Sequence, residues 1–326
     1  MNQIDFKEFE RAVGQQEVNG VIILKNGEKI GHYQPTEEQR QNQYSVTKSI
    51  TSTAVGIAIK EKLFSLDDFL LDYFQKDAPP NPSDHLKEMR LRHLITMSMG
   101  FETPMLMGVM RPVMDEDDWV RFVLRANVSH KPGTVFQYNN AGPYLMGVLI
   151  ERLTGMDVID YLMPRLFDPL EIERPDVERC PKGHYFGAGG MVLNVSELAR
   201  IGQLYLQKGN WNGLQILPEE WVAQATSPSG LELDVSAWNV DMTYWKGYSF
   251  WFWCMAGGVY AANGKYGQYC IVMPDDSVVI SVNSKPRPAG RELEAQREAV
   301  ILNAVMQHLV PQVVGGLRQK SFSSSM

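Results

Sequence analysis

The sequence predicts an α+β fold in which strands from both chain ends pair into one antiparallel sheet, flanked by helices, with a mostly helical lobe between them. Three observations carry that reading. Strand-forming runs lie near the two ends, helical patterns fill Leu63 to about Leu170, and short turn signals separate the strand runs as antiparallel neighbours require. The sheet domain is placed at residues 1–60 and 236–326, the helical domain at 61–235, and a ligand cleft between them.

The first element is VIILKNGEKIGHY, two strand-forming runs around Asn26-Gly27, the dipeptide that best supports a tight hairpin turn. SVTKSITSTAVGIAIK, from Ser45 to about Lys60, reads as a helix with Val46, Ile50, Ala54 and Ile57 at helical spacing. Its residues are mostly apolar or small, so burial is expected. The helical stretch that follows is broken by Pro- and Gly-bearing loops such as DAPPNPSD and SHKPGTVF. NVSELARIGQLYLQKG has an Asn or Ser suited to an N-cap and Gly209 near its stop. SFWFWCM, GVYAANG, GQYCIVMP and SVVISVNS then read as strands of a meander. REAVILNAVMQHLV closes the fold as a helix with Val300, Ala304 and Leu309 among its apolar positions, and SFSSSM reads as a frayed tail.

Composition narrows the function. Of 326 residues, 44% are hydrophobic and 21% charged, ample for a sizeable core. A net charge of -7 without clustered Lys and Arg argues against a nucleic-acid partner. No run approaches the roughly 20 apolar residues of a membrane span. The opening MNQIDFKEFERAVG lacks the basic-then-apolar pattern of an export signal, so a cytoplasmic location is expected; a processed periplasmic or extracellular chain would read alike. Cys180, Cys254 and Cys270 lack metal or disulfide spacing and read as buried thiols. The six histidines show no paired ligand spacing, so neither a metal nor another cofactor is expected.

The chemistry begins at QYSVTKSI. Ser45 and Lys48 stand at i and i+3, on one face at the start of a helix, where unpaired N–H groups carry positive potential. A buried lysine there loses solvation, its pKa falls, and it can take the serine proton. An S-x-x-K pattern arises by chance in a chain of this length, but this one is the sole occurrence and opens a buried helix. Tyr138-Asn139-Asn140 is the sole Y-x-N, and its phenol suits a proton relay while Asn140 can bind an amide or carbonyl. Late in the chain, Gly264-Lys265-Tyr266-Gly267-Gln268 supplies a Lys-x-Gly. In that reading Lys265, Tyr266 and Gly267 border the substrate, and the Gln268 N–H completes an oxyanion hole with that of Ser45. A plain Gly-rich turn is the other reading of that segment. Ser98, in T-M-S-M-G, imitates a nucleophile elbow without its first glycine and is set aside.

The order Ser-x-x-Lys, Tyr-x-Asn, Lys-x-Gly resembles the serine β-lactamase and penicillin-binding-protein superfamily, in its class C-related branch of esterases and D-alanyl peptidases. KLFSLDDFLLDYF, LRHLITMSMGF, KPGTVFQYNNAGPYLMGVLIERLTG and GAGGMVLNVSELARIGQLYLQKGNWNGLQILPEEWV are similar to further family segments. The resemblance implies a β-lactamase/transpeptidase-like fold and an acyl-enzyme on Ser45, deprotonated through Lys48 and Tyr138. Met97, Ser98 and Met99 replace the family's His-Thr-Ser, and Tyr266 stands where a small hydroxyl residue is usual, which weakens carboxylate recognition. A register shifted by one, pairing Tyr266-Gly267-Gln268 with the Gly-Gly-Gln of esterase-like members, stays open. The expected partner is a small-molecule ester, amide or peptide substrate. A lactamase or D-alanyl carboxypeptidase, and a non-hydrolytic acyl-binding protein, are the alternatives. The aromatic residues Trp245, Tyr248, Trp251, Trp253, Tyr260 and Tyr266 could wall an apolar or peptide-binding cleft, but most are expected to be sheet core.

Overall fold

The computed structural model describes residues 4–233 and 242–315. The expected tail at 321–326 and the expected boundary at 236 lie outside them. The chain opens with α1 (Lys7–Val13), which sequence reading passed over because seven residues hold too little periodicity. It buries Phe9 against Tyr33, ring centroids 5.7 Å apart. Strands β1 (Val18–Lys25) and β2 (Glu28–Tyr33) form the expected hairpin. Asn26 (φ +53°) and Gly27 (φ +80°) both take the left-handed conformation that a two-residue turn between twisted strands demands.

After the two-residue strand β3 (Gln41–Asn42), helix α2 (Val46–Lys60) runs through the centre of the molecule. Every residue from Val46 to Ala58 is buried, which explains the all-round mix of small and apolar side chains. Its hydroxyls find partners: Ser49 donates to the Trp251 carbonyl (2.8 Å) and Thr51 to that of Gly187 (2.7 Å).

The helical lobe holds α3 (Leu70–Phe74), α4 (Asp84–Glu88), α5 (Leu91–Ile95), α6 (Trp119–Leu124), α7 (Ala141–Thr154) and α8 (Val158–Leu162). Only α7 is long, and it packs on α2 and α5. β4 (Val192–Leu193) then pairs with β3 beside the start of α2. Helix α9 (Val195–Leu206) starts at Asn194, whose side chain accepts from the Glu197 N–H (2.8 Å) while Glu197 accepts from the Asn194 N–H (2.9 Å). A small hairpin, β5 (Asn210–Trp211) and β6 (Leu214–Gln215), leads to α10 (Glu219–Ala225).

The C-terminal meander comprises β7 (Trp245–Ser249), β8 (Phe252–Met255), β9 (Tyr260–Gly264), β10 (Gln268–Met273) and β11 (Val278–Ser284). It joins the N-terminal hairpin in one seven-stranded antiparallel sheet of order β2-β1-β11-β10-β9-β8-β7, with Ile23 opposite Ile280. SFWFWCM, read as one strand, is instead a hairpin that turns at Phe250 (φ +39°) and Trp251 (φ +68°). No turn-forming residue marks that reversal; burial of the Trp251 side chain holds it, with its indole N–H aimed at the Leu94 carbonyl. Helix α9 covers one sheet face, where Cys270 lies against Leu198. On the other, Tyr269 donates to the backbone carbonyl of Glu298 (3.0 Å) in the closing helix α11 (Arg291–Ala304), against which α1 packs. After a π-helical turn comes α12 (Val310–Val313), the last element among the described residues. Ala304 and Leu309 are buried as expected, but Val300 is exposed because the inward stripe of α11 runs through Glu294 and Ile301. All three cysteines are free and buried.

Candidate active site

The start of α2 is a tight turn. The N–H groups of Val46, Thr47 and Lys48 bond the carbonyls of Gln43, Tyr44 and Ser45, while that of Ser45 has no backbone acceptor among the described residues. Tyr44, just before the serine, is held at φ +47°, a strained conformation for a non-glycine residue. Lys48 Nζ lies 2.9 Å from Ser45 Oγ and donates to the Ala188 carbonyl at 2.7 Å. Only 1% of Lys48 is exposed, and this burial lowers its pKa well below the usual lysine value. The Arg111 guanidinium lowers it further and Glu178 partly offsets that. Burial thus shifts the Lys48 equilibrium toward the uncharged amine, the form able to accept a proton from a hydroxyl.

Tyr138 hydrogen-bonds Ser45 through its side chain, and Lys48 Nζ sits 4.8 Å from its ring centroid. Burial raises its pKa above the usual tyrosine value although the Ser45 bond pulls the other way, so it remains a neutral phenol near neutral pH. Tyr248 packs edge-on against its ring at 5.8 Å and Trp253 stacks at 6.4 Å. The aromatic strand residues are thus buried as sheet core, and two of them also fix the phenol. Asn139 caps α7, accepting from the Ala141 N–H at 2.9 Å. Asn140 donates to the Leu106 carbonyl (2.9 Å), which leaves its Oδ1 buried without a partner.

The late segment lies differently. Lys265, Tyr266 and Gly267 form the turn between β9 and β10, with Tyr266 at φ +66° and Gly267 at φ +86°. They face α11. Lys265 pairs with Glu294 (2.8 Å), the Tyr266 N–H donates to Glu298 (2.8 Å), and a Cβ on Gly267 would stand 2.5 Å from Ile301 Cδ1. Gly267 therefore makes room for helix packing. Gln268 begins β10, and its side chain ties β3 to the sheet by accepting from Gln41 (2.7 Å) and donating to the Ser284 carbonyl (2.8 Å).

Gly264, which the sequence reading gave no role of its own, is the residue that meets the turn carrying Ser45. A Cβ there would stand 2.2 Å from the Gln43 carbonyl oxygen and 3.2 Å from Val46 Cγ2. β8 pairs with β9 only at Ala261 and Tyr260, so the last residues of β9 have no β8 partner. Its place as the final strand residue before a three-residue turn was the signal available in the sequence. Gly264→Ala should cost about 1–3 kcal/mol of stability, measured by denaturant unfolding, because a backbone carbonyl must move. Other residues escaped sequence reasoning: the Ala188 carbonyl and the Arg111–Glu178 pair, with Arg111 stacked 4.1 Å from the Phe186 ring centroid.

Ser98 is buried, and its Oγ bonds Thr96 Oγ1 at 2.8 Å, as suits a structural turn. Among the described residues no three His, Cys, Asp or Glu side chains cluster as metal ligands, and no helix is long and apolar enough to cross a membrane.

The Beta-lactamase family model matches residues 7–303. The 6-aminohexanoate-dimer hydrolase of Paenarthrobacter ureafaciens is 24% identical over 172 residues, 52% of this chain and 44% of that protein. The lovastatin esterase of Penicillium rubens is 26% identical over 203 residues, 50% of each chain. The matches thus span about half the length of these curated relatives. Among solved structures, a penicillin-binding-protein homologue from Caulobacter crescentus superposes with a TM-score of 0.70 at 13% identity, covering 95% of this chain and 99% of that one. With its motifs, its sheet and a family match across nearly its whole length, the chain belongs to the β-lactamase family, in the serine β-lactamase and penicillin-binding-protein superfamily.

Proposed function

We propose that the protein is a serine hydrolase that forms an acyl-enzyme on Ser45 and hydrolyses a small ester or amide. The observation that carries this is the 2.9 Å approach of Lys48 Nζ to Ser45 Oγ inside a site whose burial favours the uncharged amine. Neutral Lys48 takes the Ser45 proton as Oγ attacks the carbonyl carbon. Tyr138, bonded to Ser45 and itself neutral, relays a proton to the leaving oxygen or nitrogen as that bond breaks. Water then attacks the acyl carbon, its proton passing to Lys48, and the acid departs as Ser45 regains its hydrogen.

The developing oxyanion has one donor in the Ser45 N–H. The second comes from the hairpin 264–268. The approach of Gly264 favours the end of β9 for that donor over the Gln268 N–H that the sequence suggested. Asn140 Oδ1, buried and unpaired, suits an N–H donor on the substrate better than a carbonyl.

Lys265 is committed to Glu294, which speaks against recognition of a penicillin or peptide carboxylate and for an uncharged ester or amide. The amide and ester hydrolases among the relatives support the same class. Incubation with a short-chain nitrophenyl ester should give turnover, nitrocefin should give little, and a fluorophosphonate should modify Ser45 alone by peptide mass spectrometry. Nitrocefin turnover exceeding that of the ester would make it a lactamase. Stoichiometric labelling without turnover would make it an acyl-binding protein.

A further inference from the structure

Tyr44 is not the only residue near the site with a strained backbone. Tyr266 sits at φ +66° in the turn that follows Gly264, and both of its backbone polar groups are held by side chains from other elements. Its N–H donates to Glu298 Oε1 on α11 (2.8 Å), and its carbonyl accepts from Ser284 Oγ on β11. The Tyr266 ring meets the Tyr44 ring edge-on at 5.0 Å, and Tyr44 is itself strained and directly precedes Ser45. A continuous run of contacts thus joins Glu298, Tyr266, Tyr44 and Ser45. Glu298 is fixed at its own end, because its backbone carbonyl accepts from the Tyr269 hydroxyl at 3.0 Å.

We propose that Glu298 is a positioning residue, a latch whose carboxylate holds the Tyr266 peptide and through it keeps Gly264 and the hairpin seated against the nucleophile's turn. The effect on catalysis rests on the Ser45 reading; the latch itself does not. Neighbouring Glu294 has a different task, since it takes Lys265, the Tyr266 hydroxyl (3.2 Å) and the Ala289 N–H (2.9 Å), fastening the hairpin's exposed side to the start of α11.

The groups that face Glu298 can be named. Lys265 on the hairpin favours its charged form and Glu294 on the same helix opposes it. The nearby phenols are Tyr266, Tyr269 on β10 and Tyr138, whose own pKa Glu298 helps to raise, and α1, packed on α11, carries Lys7, Glu8, Glu10 and Arg11. Burial is the largest influence and brings the carboxyl up to about 7. A charged acceptor makes roughly twice as strong a hydrogen bond as a neutral one, so the latch tightens as pH rises through about 7. Stability runs the other way. A carboxyl whose folded pKa is raised contributes stability that is present below its unfolded value and lost as pH rises through about 7.

The test compares wild type, Glu298→Gln and Glu298→Ala by amide hydrogen exchange of the peptide 259–268, by ester turnover across the neutral pH range, and by fluorophosphonate labelling of Ser45. Faster exchange confined to the hairpin and a kcat loss of about 10- to 100-fold with little change in KM are expected for Glu298→Ala, less than outright removal of an oxyanion donor. Glu298→Gln, which keeps an acceptor oxygen, should recover most of that activity and lose the wild-type change in hairpin exchange near pH 7. Unchanged hairpin exchange in a folded Glu298→Ala protein would overturn the latch. If Glu298→Ala fails to fold, hairpin exchange in Glu298→Gln identical to that of wild type on both sides of pH 7 would overturn it instead. Labelling of wild type at a residue other than Ser45, with the hairpin still loosened by Glu298→Ala, would sink the nucleophile reading and leave the latch standing.

Discussion

Replacing Ser45 with alanine is expected to lower ester turnover by at least about 10,000-fold, because a nucleophile acts with its base as one unit. Fluorophosphonate labelling should vanish with it. The protein should fold as before, since Ser45 is half-buried and its loss leaves Lys48 bonded to the Ala188 carbonyl. Turnover at the wild-type rate by a folded Ser45→Ala protein would remove the acyl-enzyme from the mechanism.

The second large effect comes from Lys48→Arg, which keeps a cation and removes the ability to lose a proton near neutral pH. If Lys48 served as a fixed positive charge, arginine would retain much of the rate. As the base it cannot be replaced so, and a loss of about 1000-fold or more is expected, in line with the loss of general-base and nucleophile activation. The pH profile gives an independent check. Burial lowers the Lys48 pKa, so activity should rise with pH as the amine deprotonates, with a midpoint well below the usual lysine value. The sign for stability follows. A lysine whose folded pKa is depressed contributes stability that is lost as pH falls through that lowered value. Raising the pH should therefore strengthen the Lys48 contribution to stability as it activates the site, opposite in sign to that of Glu298.

Much of this was legible in the sequence because it rests on local chemistry. Asn26-Gly27 dictates its hairpin by backbone conformation alone, and the Ser45–Lys48 spacing becomes a contact wherever the segment is helical. Asn194 and Glu197 announce the start of α9 in the same way. What was misread depends on partners distant in sequence. The reversal at Phe250-Trp251 exists because Trp251 is buried beneath the helical lobe, and no local residue signals it. The contacts of Lys265 and Gly267 with Glu294 and Ile301 on a later helix are of the same kind, since a Lys-x-Gly late in the chain carries no sign of them. The outward turn of Val300 has the same origin, since only the docked helix decides which stripe faces in.

The pairing of β1 with β11 has a further meaning for how this molecule comes into being. Ile23 finds its neighbour in Ile280, and Gly264, which seats against the turn carrying Ser45, also arrives late in synthesis. Contacts between such remote stretches close slowly, because a long loop must be ordered before they reward it. A ribosome-bound chain would thus carry its serine and lysine long before it could use them, and chemistry would begin only once the last strands had been delivered.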